Sequence, residues 1–146
     1  MSTQRYIEIN DNVKSTWSIE RIWKLAESLP VEEIPIDDIK GPNEVTWFSD
    51  EGPQPTCREI AKHCQRINNA DVSYPVILTS DYRVFDGMHR IAKQIMLGEE
   101  TIKVRRFREN PEADEVIELS VEQVEYTELH TKKKPEGITF GLFDST

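Results

Sequence analysis

Cysteine and histidine are scarce in this chain, and their spacing excludes several chemistries. Only two cysteines and three histidines occur in 146 residues. Cys57 and Cys64 lie seven apart in one predicted helix, about 10 Å along its axis, too far for a disulfide. They read as reduced core residues. Neither Cys-x-x-Cys nor His-x-x-x-His spacing occurs, so no metal centre is expected. His63 and Cys64 are neighbours and point about 100° apart, a poor metal pair. No apolar run approaches the ~20 residues that span a bilayer. The opening Met1-Ser-Thr-Gln-Arg-Tyr lacks the apolar core of a signal peptide, so a cytoplasmic protein without a membrane partner is expected. There is no internal repeat and no heptad pattern.

What is present fits one small domain. Hydrophobic residues make up 37% and charged residues 31%, with a net charge of −9. An acidic whole argues against a nonspecific nucleic-acid coat, which needs clustered cations. The charge is uneven. From Asp81 to Arg108 there are seven Lys/Arg against four Asp/Glu. From Glu109 to His130 there are eight acids and no Lys or Arg. A local cationic site in an acidic protein suits a small polyanion better than a duplex.

Tyr6-Ile-Glu-Ile9 reads as a short strand before an Asn-Asp-Asn turn. Ile19, Ile22, Trp23, Ala26 and Leu29 recur at helical intervals and predict a helix over Ser15 to Leu29, ended by Pro30. Trp17 and Trp23 read as packing anchors. Val31 to Ile39 is a strand candidate and Glu44 to Phe48 another. Ser49 to Pro55 is a loop, and its neighbouring acids Glu44, Asp50 and Glu51 read as solvated. Thr56-Cys-Arg-Glu59 matches a capping box opening a helix to about Asn68, with Ile60, Ala61, Cys64 and Ile67 on one face. Thr101 to Phe107 alternates as a strand with a basic face; Lys103, Arg105 and Arg106 add to an anion site or protect a sheet edge. Pro111 to Leu129 holds a helix and a strand, Lys132 to Gly137 is linker-like, and Ile138 to Phe143 is an apolar terminus that docks on this domain or on a partner.

The organising stretch is Pro75 to Gly98. Val76-Ile-Leu-Thr79 and Tyr82-Arg-Val-Phe85 are β-rich runs around the turn pair Ser80-Asp81. Asp86-Gly87 ends the second strand. Ile91, Ala92, Ile95 and Met96 then mark one face of a helix that stops at Gly98. Asp86-Gly87-Met88-His89-Arg90 therefore sits where a strand hands over to a helix. The first N–H groups of that helix have no internal acceptor and carry the positive end of its dipole. Gly87 lets backbone approach a ligand. Met88 N–H, His89, Arg90 and Lys93 complete a candidate phosphate site. Asp86 is either a helix N-cap or a group that accepts a substrate hydroxyl proton or holds Mg²⁺.

This segment resembles the ParB/sulfiredoxin superfamily. The matching motif begins Gly-Glu-Arg-Arg in ParB partition proteins and Gly-Cys-His-Arg in sulfiredoxins. In the free-serine kinases of the group it opens Asp-Gly and keeps the Arg. The resemblance spans roughly Ile34 to Phe107 and implies an α/β (α+β) fold with a small mixed sheet flanked by helices. Residues 1–30 then form an N-terminal extension, 31–108 the domain, and 109–146 an acidic extension packed on or beside it. It also implies a nucleotide (ATP, ADP or CTP, with or without Mg²⁺), with Asp86 and His89 as catalytic candidates and Gly87, Met88, His89, Arg90 and Lys93 as nucleotide ligands. Phosphotransfer or nucleotide hydrolysis are the reactions implied. Sulfiredoxin chemistry is not, because Met88 replaces the nucleophilic Cys. The alternatives are a DNA-associated ParB-like module or a non-catalytic interaction protein that uses its acidic C-terminal part; no helix-turn-helix follows Phe107.

Overall fold

The computed structural model describes residues 4–120, together with the backbone of 138–142. It is a mixed α+β fold with two sheets. The first element is a hairpin of strands β1 (Arg5–Asn10) and β2 (Val13–Ser18). Asn10 pairs with Val13, leaving a two-residue turn whose Asp11 and Asn12 take φ of 49° and 67°. That left-handed pair suits the strand twist, and Asn and Asp tolerate it.

The hairpin corrects the predicted helix of Ser15 to Leu29. Its first residues are the end of β2, and helix α1 runs only over Ile19–Ala26. Ser18 ends the strand and caps the helix, accepting from Arg21 N–H. Strand β3 (Glu32–Pro35) is followed by a 3-10 turn, Ile36–Asp38, where a strand to Ile39 was expected. The expected strand at Glu44 to Phe48 is absent; that segment is irregular. Helix α2 (Cys57–Asn69) begins as read, with Thr56 Oγ1 accepting from Glu59 N–H.

Next come β4 (Val76–Leu78), β5 (Val84–Asp86), helix α3 (Met88–Met96) and β6 (Thr101–Arg106). These join β3 in a mixed sheet ordered β3-β6-β4-β5, in which β4 and β6 are parallel and the other pairs antiparallel. Strands β7 (Glu115–Glu118) and β8 (Ile138–Leu142) flank the N-terminal hairpin in a second sheet, β7-β2-β1-β8. The N- and C-terminal extensions thus build one sheet together. The apolar run at 138–142 supplies its edge beside β1. The linker-like Lys132 to Gly137 and most of the acidic run beyond Ser120 lie outside the described residues.

Two cores result. Val76 and Leu78 of β4 pack with Ile91, Ile102 and Val104 on one side of the mixed sheet. Ile77 faces the other way, with Tyr6, Trp17, Ile22 and Phe85. This is the period-two geometry of a strand buried on both faces. Phe85 is the hub of the second core: its ring lies 4.8 Å from Tyr6, 5.9 Å from Trp17 and 5.7 Å from Phe107. It ties the N-terminal sheet to the mixed one. Segment 111–114 adds a strap, with Trp17 Nε1 donating to Pro111 O at 2.8 Å and Ser18 N–H to Asp114 at 2.6 Å.

Removing the hub should therefore loosen both sheets. Phe85→Ala is expected to lower unfolding free energy by about 3–5 kcal/mol in urea denaturation, from lost transfer energy plus the cavity left behind. A loss below about 1 kcal/mol would show that the two sheets do not depend on this contact.

Candidate functional site

A small cleft opens beside the hairpin–helix junction. It is lined by Lys40, Gly41, Glu44, Thr46 and Trp47 on one side. Tyr6 and the run from Arg83 to Met88 close the other. Two turns bring these walls together. Tyr82, at φ 68°, turns the β4–β5 connection, and its carbonyl accepts from Lys40 N–H at 2.9 Å. Gly41 then passes so close to α3 that a Cβ would lie 3.0 Å from Met88 Cε.

The predicted junction residues divide. Gly87 and Met88 line the cleft, with Gly87 as the N-cap of α3. Gly87 offers no side-chain acceptor to the first helical amides. The reason for a glycine differs from the one expected. At φ 120° an L-residue is strained, and a Cβ would meet the Val76 side chain at 2.9 Å. The space a side chain would take is filled by core packing, while the backbone lines the cleft.

Arg90 is correctly placed in sequence but occupied in space. Its guanidinium donates to Asp86 at 3.0 Å, to Pro75 O at 2.8 Å and to Tyr74 O at 3.4 Å. Asp86 is not the N-cap; its carboxylate also accepts from Trp23 Nε1 at 2.8 Å. Lys93 is a correction to the anion site. Its ammonium donates to Asn68 O and Ala70 O at the end of α2, where the unpaired carbonyls of a helix terminus attract a cation. Arg105 does the same for Ala26, Glu27 and Leu29 after α1. Arg106 donates to Ser80 O and lies over the Tyr82 ring, while Lys103 is exposed.

The cations that do line the cleft are Lys40 and Arg83. Arg83 pairs with Glu44 at 3.3 Å in a half-buried setting, and Lys40 with Asp81 at 3.9 Å in an exposed one worth little. Burial, then Asp81, push the nearby Glu8 carboxyl above its usual range. Magnesium fits poorly here. Asp86 and Glu44 already accept from a tryptophan and two arginines, and no group of three or more His, Cys, Asp or Glu able to hold a metal occurs among the described residues.

His89 does not line the cleft. Its Nε2 meets Nδ1 of His63 at 2.8 Å, and Trp47 stacks on both rings. Sequence reasoning missed this cluster because α2 is rotated from the expected face. The buried positions are His63 and Ile67, whereas Ile60, Cys57 and Cys64 are exposed. The cysteines are therefore free and at the surface, a correction to their reading as core residues. His63 and Ile67, spaced by four, mark the true inward face. Burial, then His63, Arg66 and Arg90, lower His89 to about 4. Burial and Arg66 also lower His63, against Glu59.

Comparison of the chain with protein-family models, with curated proteins and with solved structures gave no match. No helix among the described residues is long and apolar enough to cross a membrane.

Two outcomes follow from this geometry. Gly87→Ala should cost about 2–4 kcal/mol, combining positive-φ strain with overlap onto Val76, as read by urea midpoint; a neutral substitution would contradict the packing described. The histidines set an acid limit. With folded pKa values below the ordinary 6.5, they bind fewer protons folded than unfolded. They are neutral in both states above pH 6.5, and stability falls as pH drops from there toward 4. Chemical denaturation across that window should show the decline, and His89→Gln should flatten it.

Proposed function

We propose that the protein binds a phosphate-bearing ligand of nucleotide class in the cleft between the Lys40–Trp47 segment and the start of α3. The observation that carries this reading is the convergence at one opening of two cations, Lys40 and Arg83, the Gly87–Met88 backbone and an aromatic wall, Trp47. A helix start favours a phosphate, a guanidinium matches its oxygens, and an indole suits a planar base. The order of hairpin, helix and parallel strand, β4-β5-α3-β6, supports the ParB/sulfiredoxin-like reading of the motif. The phosphate contacts differ from those expected from sequence. Arg83 and Lys40 take the role first given to Arg90 and Lys93, which hold the fold.

Binding is better supported than catalysis. Asp86 lines the cleft but accepts from Trp23 and Arg90, so it would have to give up a partner before serving as a base. Phosphotransfer or nucleotide hydrolysis thus stands as a further step that this site would have to gain on ligand binding.

Thermal-shift titration with ATP, ADP and CTP, with and without Mg²⁺, tests the proposal. At a hundredfold excess over Kd a true ligand adds about 2.7 kcal/mol of stability. Arg83→Ala and Lys40→Ala should each remove most of the response. Stabilisation by duplex DNA with none by nucleotides would favour the DNA-associated reading instead. Silence toward both would leave the cleft without a phosphate ligand and sink the proposal.

A further inference from the structure

The imidazoles of His63 and His89 meet edge to edge. His63 is on the inward face of α2 and His89 in the first turn of α3. Their rings are tilted by only 11°, with Nδ1 of His63 2.8 Å from Nε2 of His89. Trp47 lies flat across this pair, 4.4 Å from one ring centre and 4.5 Å from the other, tilted 15° and 10°. Phe48 closes the edge of His63 at 5.4 Å.

Residues 44–48 have no regular secondary structure. Described contacts that hold the segment are this stack, the Arg83–Glu44 pair and a turn bond from Glu44 N–H to Gly41 O. Trp47 Nε1 is buried without a hydrogen-bond partner among the described residues. The indole is therefore held through its ring faces, while it also forms part of the cleft wall.

The pair can keep its bridge only with a lone pair on one side. A neutral imidazole has one N–H and one acceptor nitrogen. In the neutral pair one ring donates and the other accepts. A first added proton goes to an outward nitrogen and leaves the bridge intact. A second places two N–H groups and two like charges against each other across 2.8 Å. The surroundings resist that step. Arg66 of α2 and Arg90 of α3 both act against protonation, Glu59 of α2 partly offsets them at His63, and the carboxylate of the 44–48 segment, Glu44, is paired with Arg83.

The geometry points to a proton-operated latch: the His63–His89 pair holds Trp47 as a wall of the cleft, and double protonation of the pair releases the 44–48 segment. Two protons enter, the bridging hydrogen bond is lost, and no covalent bond changes. His63 and His89 are positioning residues for Trp47. The latch acts on the cleft described above but does not require that a nucleotide occupy it, so failure of nucleotide binding leaves it standing.

The test uses the full chain labelled with 5-fluorotryptophan. Its three tryptophans give three fluorine resonances, assigned by Trp→Phe substitution. The Trp47 resonance should shift in the window centred on about pH 4, where the second proton enters the pair, while that of Trp17, in the core, stays fixed. In His63→Gln and His89→Gln the Trp47 transition should vanish from that window. A flat Trp47 signal, or variants that titrate like the parent, would overturn the latch. So would Trp47 and Trp17 moving together, which marks global unfolding. If His63→Gln fails to fold, nitrogen spectra of the unmutated rings decide. A bridge from Nδ1 to Nε2 requires both rings to carry their proton on the same-named nitrogen at pH 7.5 or above, and opposite tautomers would refute it.

Discussion

Strand β4 is three residues long, and every other part of the fold is set by its having no exposed face. Val76 and Leu78 look into one core and Ile77 into the other, all three buried. β6 lies in parallel along one side of the strand and β5 antiparallel along the other. A strand buried on all sides cannot slip by one residue without turning its whole apolar set to the wrong core. That constraint fixes β5, and through β5 it fixes Gly87, whose missing side chain is where Val76 sits. The candidate cleft begins at that glycine. Its location is thus a consequence of core packing at the first residue of β4.

The same economy explains where the cations went. A guanidinium or ammonium buried near a helix end meets carbonyls that lack intrahelical donors. Arg105 answers this at the end of α1 and Lys93 at the end of α2, while Arg90 binds the carbonyls of Tyr74 and Pro75 on the approach to β4. The basic stretch from Asp81 to Arg108 is in large part a set of backbone caps. The cations that line the cleft are instead Arg83, on the approach to β5 and paired with Glu44, and Lys40, which comes from a segment more than forty residues away.

How much of this was legible follows from the kind of signal. The hairpin, α3 and its stop at Gly98 were readable because each has its own period and its own punctuation; Gly98 indeed takes φ 77°. The capping box at Thr56 was readable for the same reason, being a local hydrogen-bond pattern. Ser15 to Ser18 misled because apolar spacing cannot show where a strand hands over to a helix without a break. The turn residues Asp11 and Asn12, not the periodicity, marked a hairpin there. α2 misled because hydropathy ranks Ile60 and Cys64 above His63. The inward face was chosen by a polar pair whose partner lies 26 residues further on. The partners of Lys93, and those of Arg90 other than Asp86, were invisible because they are carbonyls, which every residue has.

The cleft itself could not be read from the junction motif, because half of it comes from elsewhere. Gly41 and Gly87 take nearly the same φ, 123° and 120°, and sit on its opposite walls. One must lack a side chain so that Met88 fits against it, the other so that Val76 does. With the Gly41 and Gly87 turns fixed by packing, the adjustable part of the lining is the Trp47 segment, which is neither strand nor helix. A site with two rigid sides and one side held by stacked rings has a place where ligand and solution conditions can act. The histidine pair beneath that third side is the contact most exposed to a change in charge, since its bridge depends on a lone pair that acid removes. The Asp86–Arg90 motif thus contributes in two directions at once: Gly87 and Met88 face the cleft, and His89 faces away to hold the wall across from them.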